Sequence, residues 1–184
     1  MKKSAVVLGT LLLLTITAGV GYAGDDSKII DKRNKYGGVT EEELYHAGDD
    51  KYAEGITRIV EYYDRHGRIA KIESYYRDEH SHKDGVFKRE QHYENEEFER
   101  AKLTRAEFFF TDAYAQKDGV MKVEVYYDDH ERKEKTEYYY TPQYAKKKVL
   151  SKMVVYYDSR GDVSKRVYYD LGGKVLSSEE GKVK

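Results

Sequence analysis

Met121, Val123, Val125 and Tyr127 fall on one side of an extended chain, with Lys122, Glu124 and Tyr126 on the other. That period of two is the signature of a β-strand. The stretch 60–76, VEYYDRHGRIAKIESYY, reads as a strand, a tight turn and a second strand. Its mark returns down the chain as Tyr62-Tyr63-Asp64, Tyr126-Tyr127-Asp128, Tyr156-Tyr157-Asp158 and Tyr168-Tyr169-Asp170. First strands begin near residues 54, 84, 118 and 148, and each meets an aromatic pair: Tyr62-Tyr63, His92-Tyr93, Tyr126-Tyr127 and Tyr156-Tyr157. Second strands close on Tyr75-Tyr76, Phe108-Phe109-Phe110, Tyr138-Tyr139-Tyr140 and Tyr168-Tyr169. A repeat of this length is an architectural unit, and each unit is expected to be a β-hairpin.

The turns agree. Asp64 with Gly67, and Asp158 with Gly161, set Asp first and Gly fourth, as a type I turn prefers. The tips after Asp128 and around 94–97 lack that Gly, so looser or longer closures are expected there. Connections at about 77–83, 111–117 and 141–147 are polar and read as loops, and the single Pro, Pro142, lies in one of them. Residues 172–176 look like the start of a fifth unit.

Second strands decide the kind of sheet. Arg132, Glu134, Thr136, Tyr138 and Tyr140 share one face, and Lys133, Lys135, Glu137 and Tyr139 the other. Neither is the plain apolar row that a sandwich core demands. The expected fold is all-β, an antiparallel meander of four hairpins with about eight strands, twisted and partly single-layered. Cross-strand pairs would support it, and a simple third turn would place Glu124 near Lys135 and Lys122 near Glu137. A soluble up-and-down β-barrel is the alternative. A membrane barrel would need a lipid-facing apolar band on every strand, which 132–140 does not supply.

The flanks complete the expected organisation. Residues 1–23 have a basic start at Lys2 and Lys3, an apolar stretch, and small residues before Ala23, the three parts of a signal peptide. Export is therefore expected, to the periplasm or the cell exterior, with no membrane span after cleavage. Residues 24–50 are polar, and Thr40 with Glu43 has capping-box spacing, predicting a short helix at about 41–47. The repeat domain is 51–176, in units of about 51–82, 83–116, 117–146 and 147–173, followed by a charged tail, 177–184.

Composition narrows the function. Charged residues are 36% of the chain, but 33 Lys+Arg meet 34 Asp+Glu, so the one-sided basic excess of a nucleic-acid protein is missing. With 20 Tyr the chain is too aromatic for disorder. The absence of Cys excludes disulfides, thiolate metal sites and a lipid-bearing cysteine.

The turns 63–69 (YDRHGRI) and 157–163 (YDSRGDV) resemble the Tyr-Asp-x-x-Gly-x-hydrophobic core of the Rhs/YD repeats of bacterial secreted and surface proteins. The resemblance covers two hairpins well and two poorly, and the unit here is longer. It implies an exported β-repeat used as shell, stalk or binding surface, and it brings no catalytic residues.

Candidate chemistry is sparse. Asp78, His80, His82 and Asp84 are ligand types at close spacing, able to form a nitrogen/oxygen set for Zn or Cu on an extended segment; a solvated connection explains them as well. His66 and His130 fall at equivalent turn positions, as inherited repeat sequence would place them. No nucleophile elbow, phosphate loop or HExxH is present. The expectation is therefore a non-enzymatic protein without cofactor, offering a binding or scaffolding surface to an envelope protein or glycan. Tyr62, Tyr126, Tyr156 and Tyr168 would be stacking platforms if the ligand is a glycan or peptidoglycan. Other readings are an inhibitor or immunity-type partner of another exported protein and, more remotely, a metal-dependent enzyme.

Overall fold

The computed structural model describes residues 27–33, 39–46, 55–77, 84–94 and 101–181. Within them lie eleven strands: β1 (Ser27–Arg33), β2 (Val39–His46), β3 (Ile56–Tyr63), β4 (Ile69–Tyr76), β5 (Val86–Glu94), β6 (Lys102–Phe110), β7 (Val120–Tyr127), β8 (Lys133–Tyr140), β9 (Lys152–Tyr157), β10 (Val163–Tyr169) and β11 (Val175–Glu180). They form one antiparallel sheet in strict chain order, β1 to β11. Among the described residues β1 and β11 do not pair, so the sheet is open and not a barrel.

The all-β meander stands; the strand count of eight does not. Two of the extra strands come from the stretch expected to hold a helix at 41–47, which is β2 instead. Thr40 does not cap: its hydroxyl donates to the Lys32 carbonyl across the β1–β2 pair at 3.1 Å. Glu41 binds Lys32 Nζ at 2.6 Å and lies opposite Tyr62. Pairing with two neighbours outweighs a local capping signal. The third extra strand is β11, which takes in the start of the supposed tail at 177–184, paired to β10 from Lys165↔Glu180 to Tyr169↔Val175. The signal-peptide reading of 1–23 lies outside the described residues.

The hairpin tips at Asp64, Asp128, Asp158 and Asp170 share one construction. Asp64 Oδ1 accepts from the amides of His66 and Arg68 at 2.8 and 3.0 Å, and the Asp128 carboxylate does the same for His130 and Arg132, both at 2.9 Å. Asp158 and Asp170 repeat it. The expected looser third tip is thus corrected, because Glu131 adopts φ 57° where Gly67 has φ 76°. The Glu131 carboxylate also accepts from the Leu103 amide at 3.2 Å, a contact glycine has no side chain to make. The tip around 95–100 lies outside the described residues.

Two connections expected as loops are helices: α1 (Asp112–Asp118) and α2 (Pro142–Lys148). Thr111 and Thr141 cap them, accepting from the Tyr114 and Tyr144 amides at 3.3 and 3.2 Å. Pro142 sits in the first turn of α2, where a missing N–H costs nothing. Tyr114 stacks on Phe110 with centroids 4.7 Å apart, and Tyr144 on Tyr140 at 4.9 Å. Each helical ring also lies over the glycine near the start of its own unit: a Cβ at Gly85 would run into Tyr114, and one at Gly119 into Tyr144. The two strands of a hairpin are clamped together this way at one end of the sheet.

Candidate binding surface

Register assigns every side chain of β3 to β10 to one of two faces. On the first, Glu73, Glu90, Glu107, Glu124 and Glu137 lie directly opposite one another on five successive strands. Val60 extends the row at one end and Val154 and Val167 at the other. Like charges in direct opposition destabilise a sheet, and here the neighbours on the same face reverse that. Lys71 reaches Glu73 at 2.6 Å, Lys88 reaches Glu90 at 2.6 Å, Arg105 reaches Glu107 at 2.9 Å and Lys135 reaches Glu137 at 2.7 Å; Lys122 pairs with Glu124. Lysines also bridge to the next strand: Lys88 to Glu73 at 3.5 Å, Lys122 to Glu107 at 3.3 Å and Lys152 to Glu137 at 3.1 Å. Tyr75, Tyr126 and Tyr139 donate to Glu73, Glu124 and Glu137 at 2.7, 2.6 and 2.8 Å.

The observed register corrects the expected pairing of Glu124 with Lys135 and Lys122 with Glu137. Lys135 lies opposite Tyr126 and Lys122 opposite Tyr139, because the register slips at Tyr126/Tyr127. Outside the glutamate row, cations and aromatics therefore alternate from strand to strand. Lys71 sits over the Tyr62 ring and Lys135 over the Tyr126 ring, both at 4.0 Å, with Lys122 over Tyr139 at 4.8 Å. Aliphatic stems and rings bury the carboxylates: Glu124 and Glu137 are each only 6% exposed.

The net holds several of its carboxylates and phenols firmly in their ordinary charge states. Burial alone would raise the Glu137 carboxyl, but hydrogen bonds from Lys135, Tyr139 and Lys152 outweigh it and bring the group down to about 2. Glu73 and Glu124 are also held low, for the same balance of reasons. Burial, with Glu73 and Glu41 nearby, pushes Tyr62 up to about 12; burial and the Glu124 bond do the same to Tyr126.

The sequence reading passed over one cluster on this face. Ligand atoms of Glu90, His92 and Glu107 lie within 4.8 Å of one another. His92 takes the row position that Tyr62, Tyr126 and Tyr156 take on other strands, and that substitution was its only signal in the sequence. Cations of the chain already serve the cluster: an Arg105 Nη lies 3.2 Å from His92 Nε2 and 2.9 Å from Glu107, and Lys88 holds Glu90. It is part of the ionic net.

Among the described residues the opposite face carries no comparable net. One row runs Ser74, Arg89, Phe108, Val123, Tyr138, Met153, Tyr168. Beside it Ala106, Val125, Thr136 and Val155 are buried. Small side chains there let larger neighbours close over them, and Tyr114 and Tyr144 stand at one end. We call this the apolar face and the other the ionic face.

Of the sequence-expected platforms, Tyr62, Tyr126 and Tyr156 lie on the ionic face and Tyr168 on the apolar face, where its hydroxyl approaches Glu179 at 3.4 Å. Asp84 is exposed; Asp78, His80 and His82 lie outside the described residues. Among the described residues no helix is long and apolar enough to cross a membrane.

Fold and surface together define an open, single-sheet β-repeat protein with one ionic and one apolar face. No protein-family model matches the sequence, and no curated protein matches it either.

Proposed function

We propose that this chain is a non-enzymatic, exported repeat protein whose sheet is a binding or scaffolding surface in the bacterial cell envelope. The observation that carries the reading is the closed ionic net. Glu73, Glu124 and Glu137 are held low, Lys88, Lys122 and Lys135 are held high, and the Tyr62 and Tyr126 phenols are pushed up, so these groups are tuned away from proton transfer near neutral pH. The ring faces of Tyr62 and Tyr126 are already covered by ammonium groups. A sugar stacking on either would have to displace a cation, which favours a protein partner over a glycan. The apolar face, free of such a net, is the side that meets the partner. Export rests on the signal-like residues 1–23 and on the resemblance of the turns to surface repeats.

The test is photo-crosslinking in the native bacterium. A crosslinker at position 153, on the apolar face, is expected to capture a discrete envelope partner, and one at 139, on the ionic face, is not. Mass spectrometry of the mature protein should find Gly24 at its N-terminus. Capture from neither face, or recovery of an uncleaved cytosolic chain, sinks the reading.

A further inference from the structure

The repeat puts an apolar residue four positions after Gly55, after Gly119 and after Val149: Ile59, Val123 and Met153. In the second unit, four after Gly85, that residue is Arg89. It sits on the apolar face with Ser74 opposite on one side and Phe108 on the other. On the ionic face Lys71, Lys88, Arg105, Lys122, Lys135 and Lys152 find carboxylates; Arg89 makes no ion pair among the described residues, and its Nε, like those of Arg58 and Arg105, is buried without a hydrogen-bond partner. A partly desolvated cation left unpaired is costly, and the cost is recovered when an anion arrives. Strand alternation places Tyr93 and Tyr127 on the same face, and the positive charge of Arg89 bears on both phenols. Neither phenol hydroxyl has a hydrogen-bond partner among the described residues. The carboxylates whose charge reaches Tyr93 are engaged elsewhere: Glu61 accepts from the Tyr63 hydroxyl at 2.6 Å, and Glu131 from the Leu103 amide at 3.2 Å.

We propose that Arg89, with the hydroxyls of Tyr93 and Tyr127, is a binding site on the apolar face for a carboxylate carried by a partner polypeptide. Guanidinium and phenol are donors suited to a carboxylate. The rest of the row, Phe108, Val123, Tyr138, Met153, suits apolar side chains that follow the acid in the partner. Aliphatic members of that row offer a sugar no hydrogen bond, which favours a polypeptide. The inference rests on the binding-surface reading and gives that surface a chemistry.

The experiment uses the mature chain, followed by NMR while acetyl-EFLF-amide, acetyl-QFLF-amide and inorganic phosphate are added separately. Saturable shifts around Phe108 with the acidic peptide are expected, at least 10-fold weaker with the glutamine peptide and with phosphate. Arg89→Met should weaken the acidic peptide by a similar factor while melting at or above the parent temperature, since Met153 shows that the fold accepts methionine there. Equal binding by the Arg89→Met protein, or by the glutamine peptide, overturns the proposal. Phosphate binding as tightly as the acidic peptide would mean a bare oxyanion site and overturns it too. Crosslinking at position 153 in cells carrying Arg89→Met separates the two readings. Capture that persists while the peptide fails removes the carboxylate site and leaves the binding surface standing; loss of capture in parent and variant alike removes the surface itself.

Discussion

The two faces of this sheet are covered by different means. On the ionic face, buried polar groups stay charged and are neutralised by neighbours on the same and adjacent strands. On the apolar face, small residues at Ala106, Val125, Thr136 and Val155 are closed over by larger ones, and two helices pin tyrosines onto glycines at one end. A sheet with no second layer among the described residues has to protect its backbone with its own side chains. Long amphipathic stems do so on one side and rings on the other. The difference shows that a thin sheet needs charge balance within a face, whereas apolar packing leaves room for a guest.

Acid should separate the faces most strongly. A carboxylate whose folded-state value lies below its unfolded one stabilises the fold above the unfolded value, near 4.5, and loses that contribution as pH falls toward the folded one. With Glu137 at about 2 and Glu73 and Glu124 also held low, stability should decline between about pH 4.5 and 2. Glu137 alone accounts for about 3 kcal/mol of it. Urea unfolding across that range checks this, and a flat profile would mean the net contributes nothing. Next comes the helical clamp: Gly119→Ala forces a Cβ into Tyr144 at φ 78° and should cost about 3 kcal/mol. Gly161→Ala, at φ 85° with open space around it, should cost about 1 kcal/mol. Similar losses at both sites would mean the ring contact is irrelevant. Glu124→Gln keeps the shape and removes the charge that pairs with Lys122, for a loss of about 1–2 kcal/mol that 1 M salt should shrink. The smallest effect belongs to the third tip. Glu131→Gly relieves the left-handed backbone but gives up the bond to Leu103, so thermal melting should move by less than about 1 kcal/mol in equivalent stability.

Much of this was legible in the residues. The alternation that sets Met121, Val123, Val125 and Tyr127 against Lys122, Glu124 and Tyr126 matches the two faces, and Asp with Gly located two tips. The register was not legible. A five-residue closure at Asp128 and a bulge beside it move each partner by two positions, which preserves the face but changes who meets whom. Opposed glutamates therefore came as a result of structure, since a reader pairing opposite charges would reject them. The helices were hidden by brevity, though Thr111 and Thr141, each three residues before a tyrosine, mark both caps. Thr40 shows the reverse failure, a convincing cap overruled by strands on either side. Arg89 was visible as one departure from a repeated apolar position, but its lack of an ion pair among the described residues is a fact of three dimensions.

Strict neighbour-to-neighbour order has a consequence for how such a molecule grows. Because each strand touches only the one before it and the one after it, an even number of strands added or removed leaves the direction of the survivors unchanged. Excising residues 119–148, one helix-linked pair of strands, should close up into a shorter ribbon whose glutamates and lysines still alternate in step. Length is then a quantity that duplication and deletion can adjust without redesigning what each face presents.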